Sequence, residues 1–158
     1  MYQGRFASYI NEFFPDKKLY LFDTFEGFPD KDVEIDRENG YTLADNSFFR
    51  DTSVDIVLNK MKYREKIIVK KGYFPDTTDG IEEMFCFVSL DMDMYLPIKA
   101  GIEYFYPRLV AGGYIFIHDC NIEHSSFKGA RKALIEFAER ERVGYVMLPD
   151  NCTAVIVK

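Results

Sequence analysis

The sequence predicts an α/β sandwich with a mostly parallel sheet that ends in an antiparallel hairpin. Short apolar runs alternate with helical patterns along the 158 residues, and a turn separates the last two runs. The runs are apolar at odd and even positions alike, which is typical of parallel strands covered by helices on both faces. The length suits one domain, and we expect residues 1–158 to form it.

Four runs are predicted as buried strands because they are short and rich in β-branched and aromatic residues. They cover residues 19–23, 67–69, 87–91 and 114–118. Residues 144–148 and 153–157 are predicted to form the closing hairpin, with residues 149–151 as its turn. Gly112 and Gly113 are interpreted as a turn before the fourth strand.

Helical patterns lie between the strands. Residues 6–14 have apolar side chains at helical spacing, and Pro15 ends the pattern. Three further helices are predicted, from a cap within residues 51–53 to Met61, from a first turn that holds Pro97, and from Ser125 or Ser126 to about Arg142. Residues 24–50 are predicted to be irregular, and loops of that length are usually functional or disordered.

The net charge of −6 is concentrated in one part of the sequence. Residues 23–55 hold ten acidic and three basic side chains, so the rest of the chain is about neutral. The sequence offers no basic face for phosphates, and we expect no nucleic-acid partner. The acidic stretch is interpreted as a solvated loop or, alternatively, as a lid that attracts cations.

The cysteines and the apolar runs indicate the compartment. Cys86, Cys120 and Cys152 are far apart and lack the paired spacing of a structural zinc site, so we interpret them as reduced thiols. No apolar run approaches the roughly 18 residues of a membrane span. No apolar segment typical of a signal peptide follows the first residues. We therefore expect a cytoplasmic protein without a membrane partner.

Polar residues follow three of the predicted strands. Ligands of open parallel sheets bind beyond the carboxyl ends of the strands, so these positions are candidates for chemistry. Asp23 closes the first strand, and a carboxylate there can accept hydrogen bonds from both ribose hydroxyls of a nucleotide-like cofactor. The alternative for Asp23 is a structural role in a turn.

Three aspartates are candidate ligands of a divalent cation. Asp91 and Asp93 follow the third strand, and Asp119 follows the fourth. Residues two apart in an extended segment face the same side, so the three carboxylates can meet at one Mg²⁺ site. Such an ion orients a substrate hydroxyl and lowers its pKa. Alternatively, Asp91 and Asp93 cap the helix at Pro97.

His118 and the segment after the second strand are weaker candidates. His118 adjoins Asp119 and is either a general base or a hydrogen-bonded structural histidine, whereas His124 is expected to be exposed. Residues 72–77 either border a planar ligand such as adenine or pack Tyr73 and Phe74 into the core.

Five segments resemble the macrocin O-methyltransferase (TylF-like) family. They are YQGRFA (residues 2–7), LYLFDTFEGF (19–28), GYFPDT (72–77), LDMDMY (90–95) and the stretch from YPRL (106–109) through GGY (112–114) to HD (118–119). They follow the family's order over nearly the whole chain, and FDTFEGF is the most specific of them.

The resemblance implies a Rossmann-like class I methyltransferase fold that uses S-adenosylmethionine. A divalent metal, expected to be Mg²⁺, would assist transfer to a hydroxyl of a small-molecule acceptor, often on a sugar. The resemblance implies contacts to the cofactor from Asp23, Tyr73 and Phe74, and the further candidates for cofactor binding are Gly4, Thr24, Gly72 and Asp91. It implies metal ligation by Asp91 or Asp93 with Asp119, and the candidate catalytic residues are His118 and Asp91.

Two departures from the family pattern affect these expectations. Many members have paired aspartates where this chain has His118 and Asp119, so His118 or Asn121 is expected to replace one ligand. The family's first strand and glycine loop are reduced here to residues 2–4. The fold is therefore expected to be N-terminally truncated, so that residues 19–23 and 87–91 either pair directly or have the gap between them filled by another chain, as in a homo-oligomer.

Three functions compete. The first is a metal-assisted O-methyltransferase that acts on a glycosylated small molecule. The second is a truncated protein that keeps the fold without turnover. Because the glycine loop is reduced, we expect weak or absent cofactor binding by this form unless a partner strand completes the site. The third is a nicotinamide-dependent oxidoreductase, which Asp23 would also suit, but this function requires a GxGxxG loop that the sequence lacks. The acidic residues 30–45 are expected to belong to the acceptor side.

Overall fold

The structure is a computed structural model that describes residues 1–120 and 126–158. The predictions for Asn121, His124 and a Ser125 cap lie outside the described residues. In chain order the elements are α1 (Arg5–Phe13), β1 (Leu19–Asp23), α2 (Asp30–Glu38), α3 (Val54–Leu58), β2 (Ile67–Lys71), β3 (Phe85–Leu90), α4 (Tyr95–Phe105), β4 (Leu109–Ile117), α5 (Lys128–Glu141), β5 (Tyr145–Met147) and β6 (Ala154–Val157).

The described residues form two compact units. The first unit comprises Met1–Pro29 and Asp45–Asp79, and the second comprises Asp30–Ala44 and Gly80–Lys158. Neither unit contains a described helix long and apolar enough to cross a membrane.

The first unit is built on the parallel pair β1–β2, in which Leu21 lies opposite Val69. Its core is an apolar cluster under this pair, made of Ala7, Leu21, Phe25, Val57 and Met61. The predicted first helix is confirmed as α1, with Gly4 at its N-cap in a left-handed conformation. A Cβ at Gly4 would lie 2.7 Å from Val57, so the close packing of α1 on α3 requires glycine there.

A buried asparagine closes the first unit between α1 and the segment before β2. Asn11 lies on α1 and is 2% exposed. Its side-chain oxygen accepts hydrogen bonds from the backbone N–H groups of Lys62 and Tyr63, and its amide nitrogen donates to the Tyr63 carbonyl. These bonds give partners to the N–H groups of Lys62 and Tyr63, and they add a second donor to the Tyr63 carbonyl, which also accepts the Lys66 N–H at 3.3 Å.

The second unit contains a four-stranded sheet in the order β3-β4-β6-β5. β3 and β4 are parallel, whereas β6 is antiparallel to both β4 and β5, which confirms the predicted closing hairpin. Helices α4 and α5 pack against each other. Apolar residues of both helices are buried, among them Ile98, Ile102, Ala133 and Leu134.

The strand positions are confirmed, but the predicted burial is not complete, because only Leu21 of β1 and no residue of β2 is buried. Two further corrections concern a turn and a strand pairing. Gly112 and Gly113 lie inside β4 rather than in a turn before it, because the Gly112 N–H donates to the Lys158 carbonyl and the Lys158 N–H donates to Gly113. Within the described residues, β1 pairs with β2 and β3 pairs with β4 in separate sheets. The direct pairing of residues 19–23 with 87–91, one of the two arrangements expected for a truncated fold, therefore does not occur.

The acidic stretch is not a solvated loop throughout, because it contains α2. Asp32 and Asp36 lie on α2 and are 1% and 0% exposed. The Asp36 carboxylate accepts the backbone N–H of Tyr95, the first residue of α4, at 3.1 Å. A charge count along the sequence could not reveal this contact, which joins residues 59 positions apart.

Two helix boundaries differ from their predictions. Helix α5 has Phe127 at its N-cap and no side-chain hydrogen bond there, so Ser126 is not its cap. The Ser126 carbonyl instead accepts the Thr42 hydroxyl, and the Lys128 N–H donates to the Tyr41 carbonyl. Helix α3 has the expected cap at Ser53, which accepts from Ile56, but ends at Leu58 rather than Met61.

Candidate functional site

Three carboxylates converge where β3 and β4 end. Oxygen atoms of Asp91, Asp93 and Asp119 lie within 4.8 Å of one another, as the sequence predicted. The backbone bond from the His118 N–H to the Leu90 carbonyl (2.9 Å) extends the β3–β4 ladder and fixes where the two chain segments leave the sheet. We call Asp91, Asp93 and Asp119 the carboxylate cluster.

The cluster forms through turns rather than through an extended segment. Asp93 and Asp119 have φ angles of +62° and +57°, in the left-handed region that residues other than glycine rarely adopt. The Met94 N–H donates to the Met92 carbonyl across Asp93 at 2.6 Å, which reverses the chain within three residues. The convergence was therefore predicted correctly from a wrong local geometry, and strain of this kind is frequent at functional sites.

His118 lies beside the cluster. Its Nδ1 atom is 3.2 Å from Asp91 Oδ1 and 3.3 Å from Asp119 Oδ2. Hydrogen bonds to Asp119 and then Asp91 raise the pKa of His118 to about 11, against an opposing effect of burial. His118 is therefore a cation at neutral pH in this arrangement. A divalent cation among the carboxylates would offset their negative charge and lower the pKa of His118. The role of His118 as a general base therefore stays a prediction.

The pKa values of Asp93 and Asp119 shift in opposite directions. Burial, the hydrogen bond to Asp119 and the charge of Asp91 together raise the pKa of Asp93 well above its ordinary value. Burial also acts on Asp119, but the hydrogen bonds from His118 and Asp93 outweigh it and lower the Asp119 pKa. The Asp93 pKa is thus shifted upward and the Asp119 pKa downward, and the positive charge of His118 offsets part of the repulsion between the carboxylates.

This donor set fits a hard divalent cation. Mg²⁺ prefers oxygen ligands and is usually held by one or two carboxylates, with water and substrate oxygens at the other positions. Asp91, Asp93 and Asp119 supply such oxygens at the edge of the sheet, and a cation there would offset the repulsion among the three carboxylates.

Asp23 lies at the carboxyl end of β1, in the first unit, as predicted. Its Oδ1 accepts the Phe25 N–H at 2.7 Å, and its Oδ2 is 3.0 Å from the amino group of Met1. The Gly72 N–H donates to the backbone carbonyl of Asp23, which joins the ends of β1 and β2. Asp23 therefore has a structural role in the turn that follows β1, and ribose binding stays a prediction.

The other candidate cofactor residues of the first unit also have structural contacts. The Thr24 hydroxyl donates to the Gly27 carbonyl and accepts the Glu26 N–H. Gly72 has a φ of +143°, and a Cβ there would lie 2.8 Å from Thr77. Phe74 is buried and its ring packs edge-on against Phe22, which favours the core alternative for that side chain. The described contacts account for these residues without a ligand, so their roles toward adenine and ribose stay predictions.

No motif or spacing in the sequence indicated that Cys152 joins the site. Its Sγ lies 3.4 Å from His118 Nε2 and 3.9 Å from Asp119 Oδ1. The β5–β6 hairpin returns the chain to the end of β4, and this brings together residues that are 34 positions apart. Cysteine spacing carries no information about such a contact, because the register between β4 and β6 sets it.

The architecture is similar to that of solved O-methyltransferases. One is the O-methyltransferase NovP, with a TM-score of 0.77 and 15% identity over 100% of this chain and 69% of that one. Another is the calicheamicin methyltransferase CalS11, with a TM-score of 0.70 and 18% identity over 96% of this chain and 65% of that one. The apo form of CalS11, described as a TDP-rhamnose 3'-O-methyltransferase, gives a TM-score of 0.58 and 15% identity over 96% of this chain.

This chain spans 64 to 69% of the length of those solved chains. Likeness at such low identity confirms the predicted Rossmann-like methyltransferase fold. No curated protein sequence matches the chain. The oxidoreductase alternative gains no support from these comparisons.

The sequence profile of the macrocin-O-methyltransferase (TylF) family matches residues 7–156. That range contains most of both units and every candidate site residue except Gly4. The match confirms the expected enzyme class at the level of the family: the chain belongs to the macrocin-O-methyltransferase family.

Proposed function

We propose that this chain forms the core of a metal-assisted O-methyltransferase that uses S-adenosylmethionine. The acceptor would be a hydroxyl of a small molecule, such as a sugar or a glycosylated natural product. The observation that carries the proposal is the convergence of Asp91, Asp93 and Asp119 in a chain of this family. Likeness to CalS11, described as a TDP-rhamnose methyltransferase, supports the sugar as acceptor.

Each group has a role in this proposal. S-adenosylmethionine would supply the methyl group when bound, and a divalent cation held by the carboxylates would lower the pKa of the acceptor hydroxyl. Asp23 accepts hydrogen bonds from the ribose hydroxyls, which orients the cofactor. Asp91, Asp93 and Asp119 hold the cation, and His118 beside them holds or receives a proton near the acceptor.

The cytoplasm is the proposed location, because all three cysteines are free thiols, as a reducing compartment keeps them. The homo-oligomer and the single domain of residues 1–158 stay predictions, as does the absence of nucleic-acid and membrane partners.

Calorimetry with S-adenosylhomocysteine, with and without Mg²⁺, tests the cofactor role. We expect binding by the full chain and a loss of at least about tenfold in Asp23→Ala, because a charged acceptor of two hydrogen bonds is removed. Asp16→Ala is the matched control, since Asp16 is an exposed aspartate of the same unit. Absence of binding, or equal losses in the two variants, would refute the cofactor role of Asp23.

Methyl transfer to glycosylated acceptors, followed by mass spectrometry, tests the activity itself. We expect transfer that requires a divalent cation and is lost in Asp119→Asn. Activity that persists in a chelator would contradict the role of the cation while leaving the methyltransferase assignment intact.

A further inference from the structure

A second set of metal-binding atoms lies next to the carboxylate cluster and contains sulfur. Ligand atoms of His118, Asp119 and Cys152 lie within 4.8 Å of one another. The set joins an imidazole nitrogen, a carboxylate oxygen and a thiol. This combination is typical of zinc sites, whereas Mg²⁺ prefers oxygen.

The distances fit one tetrahedral ion. At bond lengths of about 2.3 Å to sulfur and about 2.0 Å to nitrogen or oxygen, two ligands of a tetrahedron lie about 3.5 Å apart. Cys152 Sγ is 3.4 Å from His118 Nε2 and 3.9 Å from Asp119 Oδ1. Small side-chain rotations are therefore enough to place these atoms around a common ion.

The histidine is oriented for this role. Its other nitrogen, Nδ1, lies 3.2 Å from Asp91 Oδ1 and 3.3 Å from Asp119 Oδ2, so carboxylate oxygens hold the Nδ1 side of the ring while Nε2 faces Cys152. Asp119 Oδ1, the other oxygen of that carboxylate, is the one that faces the thiol. Histidines that bind zinc usually donate their second ring N–H to a carboxylate in this manner. Asp91 thus supports His118 from the side opposite to the thiol.

The cysteine is held in place by its own turn. Asp150 Oδ1 accepts the backbone N–H groups of Cys152 and Thr153, and Asp150 Oδ2 accepts the Thr153 hydroxyl. The Cys152 carbonyl accepts the Cys120 N–H at 2.8 Å, which joins the turn to the segment after β4. Hydrogen bonds therefore hold the backbone on both sides of the Cys152 side chain.

We propose that His118 Nε2, Asp119 and Cys152 Sγ form a binding site for a thiophilic divalent cation of the zinc class. Three protein ligands leave a fourth tetrahedral position open, as in zinc sites that bind water or substrate. The side chain of His118 is 49% exposed, so an ion can reach the site from solvent. Binding releases the thiol proton, and any proton on Nε2, to the solvent.

The geometry of this site supports it without the proposed methyl transfer, although two of its ligands, His118 and Asp119, also have roles in that proposal. Asp93 belongs to the cluster alone, and Cys152 belongs to the sulfur-containing site alone. The two sites can therefore be separated by substitution, and failure of one proposal leaves the other testable.

Titration of the reduced, metal-stripped full chain with Co²⁺ tests the proposal. We expect a thiolate-to-cobalt charge-transfer band in the near ultraviolet and the visible bands of a four-coordinate ion, saturating at one Co²⁺ per chain. Zn²⁺ should remove both signals by displacement, whereas an excess of Mg²⁺ should not. Absence of the charge-transfer band at saturating Co²⁺, or its removal by Mg²⁺, would overturn the proposal.

Variants assign the ligands. Cys152→Ser should abolish the charge-transfer band, and His118→Gln should weaken Co²⁺ binding at least tenfold. Cys86→Ser is the control, because Cys86 is an exposed cysteine on β3 outside the cluster. Asp93→Asn should retain the band. A band that survives in Cys152→Ser, or that disappears in Cys86→Ser, would assign the thiolate elsewhere and refute the site.

Discussion

The carboxylate of Asp36 accepts the backbone N–H of Tyr95, at 3.2 Å from Oδ1 and 3.1 Å from Oδ2. Tyr95 begins α4, and Met94 at the N-cap of that helix provides no side-chain hydrogen bond. Asp36 therefore caps α4 from another helix and satisfies a donor that would otherwise lack a partner.

The Asp36 cap makes stability depend on pH in an unusual direction. Burial raises the pKa of Asp36 from its ordinary value of 3.8 to about 6, although the bond from Tyr95 opposes the shift. Between about pH 4 and pH 6, Asp36 is therefore mostly protonated in the folded state and mostly ionised in the unfolded state. The contribution of Asp36 to stability is complete below pH 4 and is lost as the pH rises through 6, a change of about 3 kcal/mol.

We expect Asp36→Asn to remove this dependence, because the amide does not titrate. Relative to the parent protein, its free energy of unfolding should rise by about 2 kcal/mol between pH 4 and pH 7. Urea unfolding at pH 4, 5, 6 and 7 measures the difference. Glu34→Gln is the control on the exposed side of α2, and its difference should stay constant. A constant difference for Asp36→Asn would contradict the prediction.

Gly129 allows α5 to approach the Asp36 cap. A Cβ at Gly129 would lie 2.6 Å from the Tyr95 nitrogen and would also clash with the Asp36 carboxylate. Helix propensity alone predicts that alanine stabilises α5 by about 1 kcal/mol, but the clash predicts a loss of about 1–3 kcal/mol. Urea unfolding distinguishes the two signs. Gly144→Ala, where a Cβ meets nothing within 4 Å, should change stability by less than about 1 kcal/mol.

Asn11 stabilises the first unit through its three backbone hydrogen bonds. Asn11→Ala would leave the N–H groups of Lys62 and Tyr63 and the Tyr63 carbonyl without this partner. We expect a loss of about 2–4 kcal/mol in the free energy of unfolding, measured by urea titration. Asn59→Ala, at an exposed asparagine of the same unit, should cost less than about 1 kcal/mol. Similar losses in the two variants would show that Asn11 contributes no more than a surface residue.

Asp93 is the most direct test of the carboxylate cluster. Asp93→Asn removes one anionic ligand and should weaken binding of Mn²⁺, used as a paramagnetic substitute for Mg²⁺, at least about tenfold. Electron paramagnetic resonance of free Mn²⁺ measures the affinity. Glu139→Gln, at an exposed acidic residue of α5, should leave it unchanged. Equal affinities in Asp93→Asn and the parent protein would exclude Asp93 as a ligand.

The sequence predicted the elements that depend on local pattern. Leu19–Asp23 matches β1 at both ends, because a short apolar run that ends on a polar residue is typical of a strand, although only Leu21 in it is fully buried. The carboxylate cluster was predicted because the ends of parallel strands share one edge of a sheet. The same argument placed His118 beside Asp119, and the structure brings Asp91 to both.

The missed features all depend on contacts between distant segments. Helix α2 looked like a loop because Asp32 and Asp36 resemble surface residues, and their burial depends on packing against α4. Cys152 looked like an isolated thiol because the pairing of β6 with β4 cannot be read from spacing. The Ser126 cap failed because its carbonyl is engaged by Thr42 instead.

The position of β4 between β3 and β6 also predicts which strands of the second unit open more slowly. Its amides are bonded to strands on both sides, so they should exchange with solvent deuterium more slowly than those of β5, an edge strand with one neighbour. His118 and Asp119 follow the slow strand, whereas Cys152 lies at the turn of the faster hairpin. Local opening at that edge can therefore release the thiol while the carboxylates stay in place, and a sulfur ligand would have a shorter lifetime than its oxygen neighbours.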